Sequence, residues 1–370
     1  MKMTEQQKNT NSQTIYLIRH ASPFAEGESS RCLGRSDPPL SEFGERQAAQ
    51  LAGWLRDKGL RAVYTSPLQR CRATAEAIVR AASLPAPIVC EELRELDAGL
   101  WDGLTFAEIR ERYPQEYEQR GRDLVHTPPP GGESFAEALV RFAPRMEAIL
   151  SESRDDIAVV AHAGVIRAYS CKLLGMDLNS LLELPQPYGG MTILRRKSDA
   201  LCVESIGVKP ESFLDEAAIR ALYRRFETPE RVQAHMRAVA EYLEALLSLL
   251  PGGYDGEQLR RAALLHDVAR TQKRHADVAA DALYKEGYPA VAALVRLHQS
   301  PEPTDPITLT EADLLFYADK RFSGTELVSV EERFTRSREK CKTPEALENH
   351  RRLWEKTILI EQKIKQNPRA

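Results

Sequence analysis

No stretch of the 370 residues approaches the roughly 18 consecutive apolar residues that a membrane helix needs. Cysteine is sparse as well: Cys32, Cys71, Cys90, Cys171, Cys202 and Cys341 are scattered with no close pair. That spacing argues against a disulfide framework or a zinc knuckle, and for reduced thiols packed as small apolar groups. Nor is there an excess of charge of either sign. With 51 basic and 54 acidic residues the formal net charge is −3, so bulk charge makes no case for a nucleic-acid partner. An anionic ligand would have to be held by individually placed arginines. Residues 1–12 are polar and lack the apolar core of a signal peptide, and residues 1–13 are read as a disordered tail. Internal repeats and low-complexity blocks are missing too. These absences lead us to expect a cytoplasmic protein without membrane or nucleic-acid partners, and they carry no information on oligomeric state.

What is present is an ordinary globular composition, 42% hydrophobic and 28% charged, on a chain too long for one typical core. Residues 14–18 (TIYLI) read as a buried strand that stops on Arg19-His20. A Gly/Ser/Pro-containing loop follows, and then a helix capped by Ser41 and closed near Gly59. Residues 62–65 form a second strand. Ser66-Pro67 looks like a helix start, serine as N-cap and proline in the first turn, which puts Arg70 in that turn. Residues 88–91 are a third edge, and a helix is expected around 135–150. IAVVA (157–161) is the cleanest buried strand, ending on His162-Ala163-Gly164 before a helix to Leu174. Residues 191–195 and 201–206 look like closing strands. The alternation predicts a three-layer α/β sandwich with a mostly parallel sheet over residues 14–208. Beyond 207–210 strand signals end, and residues 209–370 read as an all-α domain with its core at about 225–330.

Both His20 and His162 fall at strand C-terminal ends, where open α/β sheets place their ligands. Displacement at a phosphoryl group needs donors around the anion, an attacking group and an acid for the leaving oxygen. Arg19 and Arg70 offer planar forks, His20 or His162 an attacking or donating imidazole, and Glu95 a carboxylate in a loop. Arg72 competes with Arg70, and Asp97 with Glu95. The succession LIRHAS, GRSDPPLSEFGERQA, YTSPLQRCRATA, LRELDAGLWDG, PGGES and VVAHAG resembles the histidine phosphatase family in its phosphoglycerate-mutase-like branch, close to the α-ribazole-phosphate phosphatases. The resemblance implies His20 as the phosphorylated nucleophile, Arg19, Arg70 and His162 as the phosphate pocket, and Glu95 as the proton donor. It suggests Arg31 and Arg35 as substrate contacts and no cofactor. One departure stands out: Ala21 occupies the position where the family has glycine, which restricts the local backbone.

In the helical half, His266-Asp267 closes the apolar run AALLHDVAR, with His235, His275, His298 and Asp319 on neighbouring helices. Imidazole with carboxylate suits a divalent transition metal, and two ions sharing an aspartate would activate a water between them. The order His235, His266-Asp267, Asp319 resembles the HD phosphohydrolase superfamily. That resemblance implies one divalent ion (Mn, Fe, Mg, Ni, Co or Zn) on those four residues, and His275 and His298 for a second. Lys273 and Lys320 are candidates to meet a substrate phosphate, while His126 and His350 match nothing and read as surface residues.

The combined expectation is a bifunctional phosphate-ester hydrolase. Its first half would be a metal-independent phosphomonoesterase for a small phosphorylated metabolite, and its second a metal-dependent phosphohydrolase for a nucleotide-like substrate. Two alternatives remain open at this level: a phosphatase regulated by a non-catalytic, ligand-binding HD domain, and a phosphoglycerate-type mutase.

Overall fold

In the computed structural model the chain divides into two compact units, Met1–Pro210 and Glu211–Ala370. The structure describes residues 12–26, 28, 31–197, 200–299 and 308–367. Most of the stretch read as a tail lies outside the described residues. Its last two, Ser12 and Gln13, already belong to the first strand.

The first unit runs β1 (Ser12–Arg19), α1 (Glu42–Leu55), β2 (Ala62–Thr65), α2 (Gln69–Ala82), β3 (Ile88–Val89), α3 (Phe106–Arg112), α4 (Pro114–Arg122), α5 (Phe135–Glu152), β4 (Ile157–Ala161), α6 (Ala163–Leu174), β5 (Met191–Lys197) and β6 (Ala200–Val208). The sheet order is β3-β2-β4-β1-β5-β6. The pairings among β3, β2, β4 and β1 are parallel, and β5 and β6 close the edge antiparallel. Side chains alternate across β1 as the strand period demands. Ile15 and Leu17 join Phe142, Met146 and Ile149 of α5 and Tyr169 of α6 in one core, while Tyr16 meets Trp54 of α1 edge to face on the other side. This is a three-layer α/β sandwich, and the central strands β1 and β4 stop side by side, at Arg19 and Ala161. His20 and His162 are the next residue of each.

One helix start differs from the sequence reading. Ser41 does cap α1, accepting from the Gly44 amide at 3.0 Å, but α2 begins at Gln69 and its N-cap is Leu68, without a side-chain cap. The Ser66 hydroxyl is turned to other use at the site.

The second unit comprises α7 (Glu216–Arg225), α8 (Glu230–Ser248), α9 (Gly256–Leu265), α10 (His275–Lys285), α11 (Pro289–Leu297), α12 (Glu311–Lys320), the hairpin β7 (Phe322–Ser323) and β8 (Glu326–Leu327), α13 (Val330–Arg338) and α14 (Pro344–Gln366). Among the described residues it is helical apart from that two-stranded hairpin, which turns at Gly324 with φ +67°. Thr310 and Asp313 form the capping box that opens α12. No helix among the described residues is long and apolar enough to cross a membrane.

Candidate functional site

At the end of β1, the His20 Nδ1 lies 2.7 Å from the Ala21 carbonyl oxygen. A carbonyl only accepts, so Nδ1 carries the proton and Nε2 presents a lone pair. That lone pair faces Arg70 Nε at 3.2 Å, an obligate donor. Arg70 is fully buried, and Ser36 and Gly34 anchor it by accepting from Nη1 at 2.7 Å and Nη2 at 3.1 Å. Its Nη2 also lies 3.4 Å from His162 Nδ1, and the two imidazoles pack edge to face with centroids 5.0 Å apart. Burial and the Arg70 and Arg19 guanidinia push the His20 pKa well below the usual histidine range, and burial, Arg70 and His20 itself do the same to His162. Both rings are therefore neutral near pH 7.

The Arg19 guanidinium stacks 3.5 Å above the Tyr188 ring and donates to the Gln186 carbonyl at 2.7 Å, while its buried Nε has no partner. Such an unmatched donor beside Arg70 and two histidines is suited to a tetrahedral anion. Glu95 comes from the loop after β3 and lies across the start of α6, where its carboxylate accepts from the amides of Gly164 at 3.0 Å and Val165 at 3.3 Å. It thereby satisfies free N–H groups that His162, the N-cap, leaves uncapped. Asp97, its rival in sequence, binds Arg35 at 3.3 Å and the Gly99 amide at 3.0 Å instead. Arg72 is an exposed partner of Glu76.

Arg19, His20, Arg70, Glu95 and His162 are thus gathered at one place. Arg31 and Arg35 make their contacts elsewhere: Arg31 with the Gly103 carbonyl and Glu108, Arg35 with Asp97. Ala21 introduces no backbone strain, since its φ is not positive, and its amide donates to Thr74 Oγ1 at 3.1 Å. Ser66, read from sequence as a cap, has its hydroxyl 2.8 Å from His162 Nε2. Tyr188, Gln186 and Arg167 went unread. Their signal was weak: the turn QPYGG before β5, and an arginine one turn into α6 whose pKa burial and the nearby Arg19 pull down to about 10.

A second cluster lies at the C-terminal end of α9. The donor atoms of His235, His266 and Asp267 lie within 4.8 Å of one another, and so do those of Asp267, His275 and His298. Asp267 belongs to both groups. Asp319 completes the first, its Oδ1 lying 3.1 Å from His235 Nε2 and 3.7 Å from His266 Nε2. Three of the rings are oriented alike: Nδ1 of His235, His266 and His298 faces the carbonyl of Gly324, Ala263 and Val295 at 2.7, 2.8 and 2.6 Å. Each Nε2 therefore turns a lone pair inward. The His266 Nε2 is buried with no hydrogen-bond partner, an orphan that a cation would satisfy.

The two carboxylates sit well below their usual range despite burial. His275 and His298 lower Asp267, while Lys320, His235 and His266 lower Asp319. The donor set, imidazole nitrogens around shared carboxylates, fits a divalent transition ion. Lys320 reaches Asp319 at 2.6 Å, whereas Lys273 is exposed. His126 pairs with Asp123 and His350 packs on Phe334.

Comparisons with known proteins agree with this division. The model of the histidine phosphatase superfamily (branch 1) matches residues 15–209, and that of the HD domain matches residues 232–365. The "Bifunctional protein Rv2228c" of Mycobacterium tuberculosis is 40% identical over 155 residues, 41% of this chain. This chain spans 42% of that relative's length. Phosphoserine phosphatase 1 of Hydrogenobacter thermophilus is 34% identical over 169 residues, 45% of this chain and 78% of its own. Among solved structures, Bacillus stearothermophilus YhfR is 28% identical, covering 54% of this chain and 98% of its own, with a TM-score of 0.49.

Proposed function

This chain belongs to the histidine phosphatase superfamily (branch 1) and carries an HD domain in its second half, and on that basis we propose that it hydrolyses phosphate esters at two separate sites. In the first unit the phosphoryl group of a small phosphorylated metabolite sits among Arg19, Arg70 and His162. His20 Nε2 attacks phosphorus, the bond to the leaving oxygen breaks, and Glu95 delivers a proton to that oxygen. The Glu95 carboxylate then takes a proton from water as the water oxygen attacks the phosphohistidine. The P–N bond breaks, and phosphate leaves with the enzyme restored. The relative named a phosphoserine phosphatase supports a phosphomonoester as substrate.

The observation that carries this reading is the His20–Arg70 contact. Burial, with Arg70 and Arg19, keeps the attacking nitrogen neutral, and Arg70 aligns it next to the charge that would receive the anion. The test is an assay with p-nitrophenyl phosphate in EDTA. Activity is expected to persist in chelator, to fall by about 10³-fold or more in His20→Ala, and to be unaffected by Asp267→Ala. Activity that depends wholly on added metal would sink the assignment, and transfer of phosphate to a second substrate without net release would make the first unit a mutase.

In the second unit His235, His266, Asp267 and Asp319 would hold a divalent ion, with His275 and His298 flanking Asp267 at a second position. When bound, such an ion supplies an acidified water and a positive field for a phosphate ester, here taken to be nucleotide-like. The chain's own part is orientation: the carbonyls of Ala263, Val295 and Gly324 fix the ring tautomers, and Lys320 balances Asp319.

A further inference from the structure

The two ligand groups around Asp267 are not equivalent. The first contains the orphaned His266 Nε2 and two carboxylates, Asp267 and Asp319. The second has only Asp267 for negative charge, and a cation is already in place there. The Arg270 guanidinium puts Nη1 3.4 Å from Asp267 Oδ1 and 3.0 Å from His275 Nε2. Those two atoms, with His298 Nε2 at 3.5 Å from the same Oδ1, are the ones a second ion would need.

A metal held at about 2.0–2.2 Å from imidazole nitrogen and carboxylate oxygen cannot share that space with a guanidinium N–H. The Gln299 side-chain amide adds to the crowding at 2.7 Å from His275 Nε2. Charge counting points the same way. One divalent ion neutralises Asp267 and Asp319, after which Lys320 and Arg270 leave the cluster positive, so a second divalent ion meets repulsion as well as a blocked position. Arg270 is itself half exposed on the turn after α9, so its removal exposes the position without opening the core.

We infer that Arg270 is a resident cation in the second metal position, so that the HD unit binds one divalent ion tightly and a second only when Arg270 is displaced. This rests on the metal reading of the second unit given above, and it concerns the number of ions, not whether one binds.

The experiment is a titration of the metal-free full-length chain with Mn²⁺ alone, followed by calorimetry and by the Mn²⁺ paramagnetic resonance signal. Wild type is expected to take one ion per chain with an uncoupled signal. Arg270→Ala is expected to take two, its second-ion affinity raised by about tenfold or more and its spectrum showing coupling between neighbouring ions. Adding His275→Ala to Arg270→Ala should return the stoichiometry to one. Two ions of similar affinity in wild type, or one in Arg270→Ala, would overturn the inference while leaving the metal site intact. Failure of both proteins to bind any ion would overturn the metal reading and the inference together.

Discussion

His20 and His162 have a chemistry far from that of the free side chain. Both are buried beside arginine, and both stay neutral where a histidine in an unfolded chain, with its pKa near 6.5, takes up a proton as pH falls. The linkage sign follows from the proton count. Below about pH 6.5 the unfolded chain binds protons at these positions that the folded chain refuses, so stability falls as pH falls, by up to ~1.4 kcal/mol per pH unit for each histidine. Trp54 and Trp101 lie in the first unit and Trp354 in the second, so a Trp354→Phe chain reports the first unit by fluorescence. Its urea midpoint is expected to drop between pH 7 and pH 5.5, and His20→Asn in that background should make the drop smaller. An equal drop in both chains would mean that His20 is protonated in the folded state.

At the scale of elements, α6 is the piece on which the first site depends. Its N-cap is His162 and its first amides hold Glu95, so one helix start positions two of the five gathered residues. Gly164 makes this fit. A β-carbon there would lie 2.7 Å from Glu95 Oε1 and 2.6 Å from Leu96 Cδ1, so Gly164→Ala must push the carboxylate aside. Displacing a catalytic group by about 1 Å can cost on the order of 10²-fold in rate. Gly164→Ala should therefore lower kcat far more than KM, with a melting temperature near wild type; unchanged kcat would remove Glu95 from the chemistry. The helix itself was legible from VVAHAG, because a buried strand ending on polar residues and glycine has few alternatives. Ser66 was not legible in the same way. Ser-Pro is a good local helix start, but the tertiary contact with His162 claimed the hydroxyl, and α2 began two residues later than Pro67. The place of Arg270 is not legible in the sequence because it arises from a turn: α9 ends at Leu265, and the left-handed Arg274 (φ +54°) brings His275 back beside Asp267. No periodicity in sequence signals such a return.

For the whole molecule, the argument concerns independence. The core of the first unit is built from residues between Ile15 and Leu194, and the histidine–aspartate cluster of the second unit draws on α8 to α12 and the hairpin turn. Each unit therefore has its own source of stability, and a ligand that binds only one should move only that one. A divalent ion at 100 times its dissociation constant adds about 2.7 kcal/mol to the unit that holds it. Chelation of the full chain should accordingly lower the thermal transition seen through Trp354, which stacks on Phe334 in the second unit. It should leave the transition of the Trp354→Phe chain, reported by Trp54 and Trp101, where it was. Asp267→Ala should reproduce the effect of chelator on the Trp354 transition and make further chelator inert. If the Trp354→Phe transition moves with chelator as far as the parent's does, the two units are energetically coupled, and a regulatory role for the HD unit would then account for its histidine–aspartate cluster better than a second catalytic site.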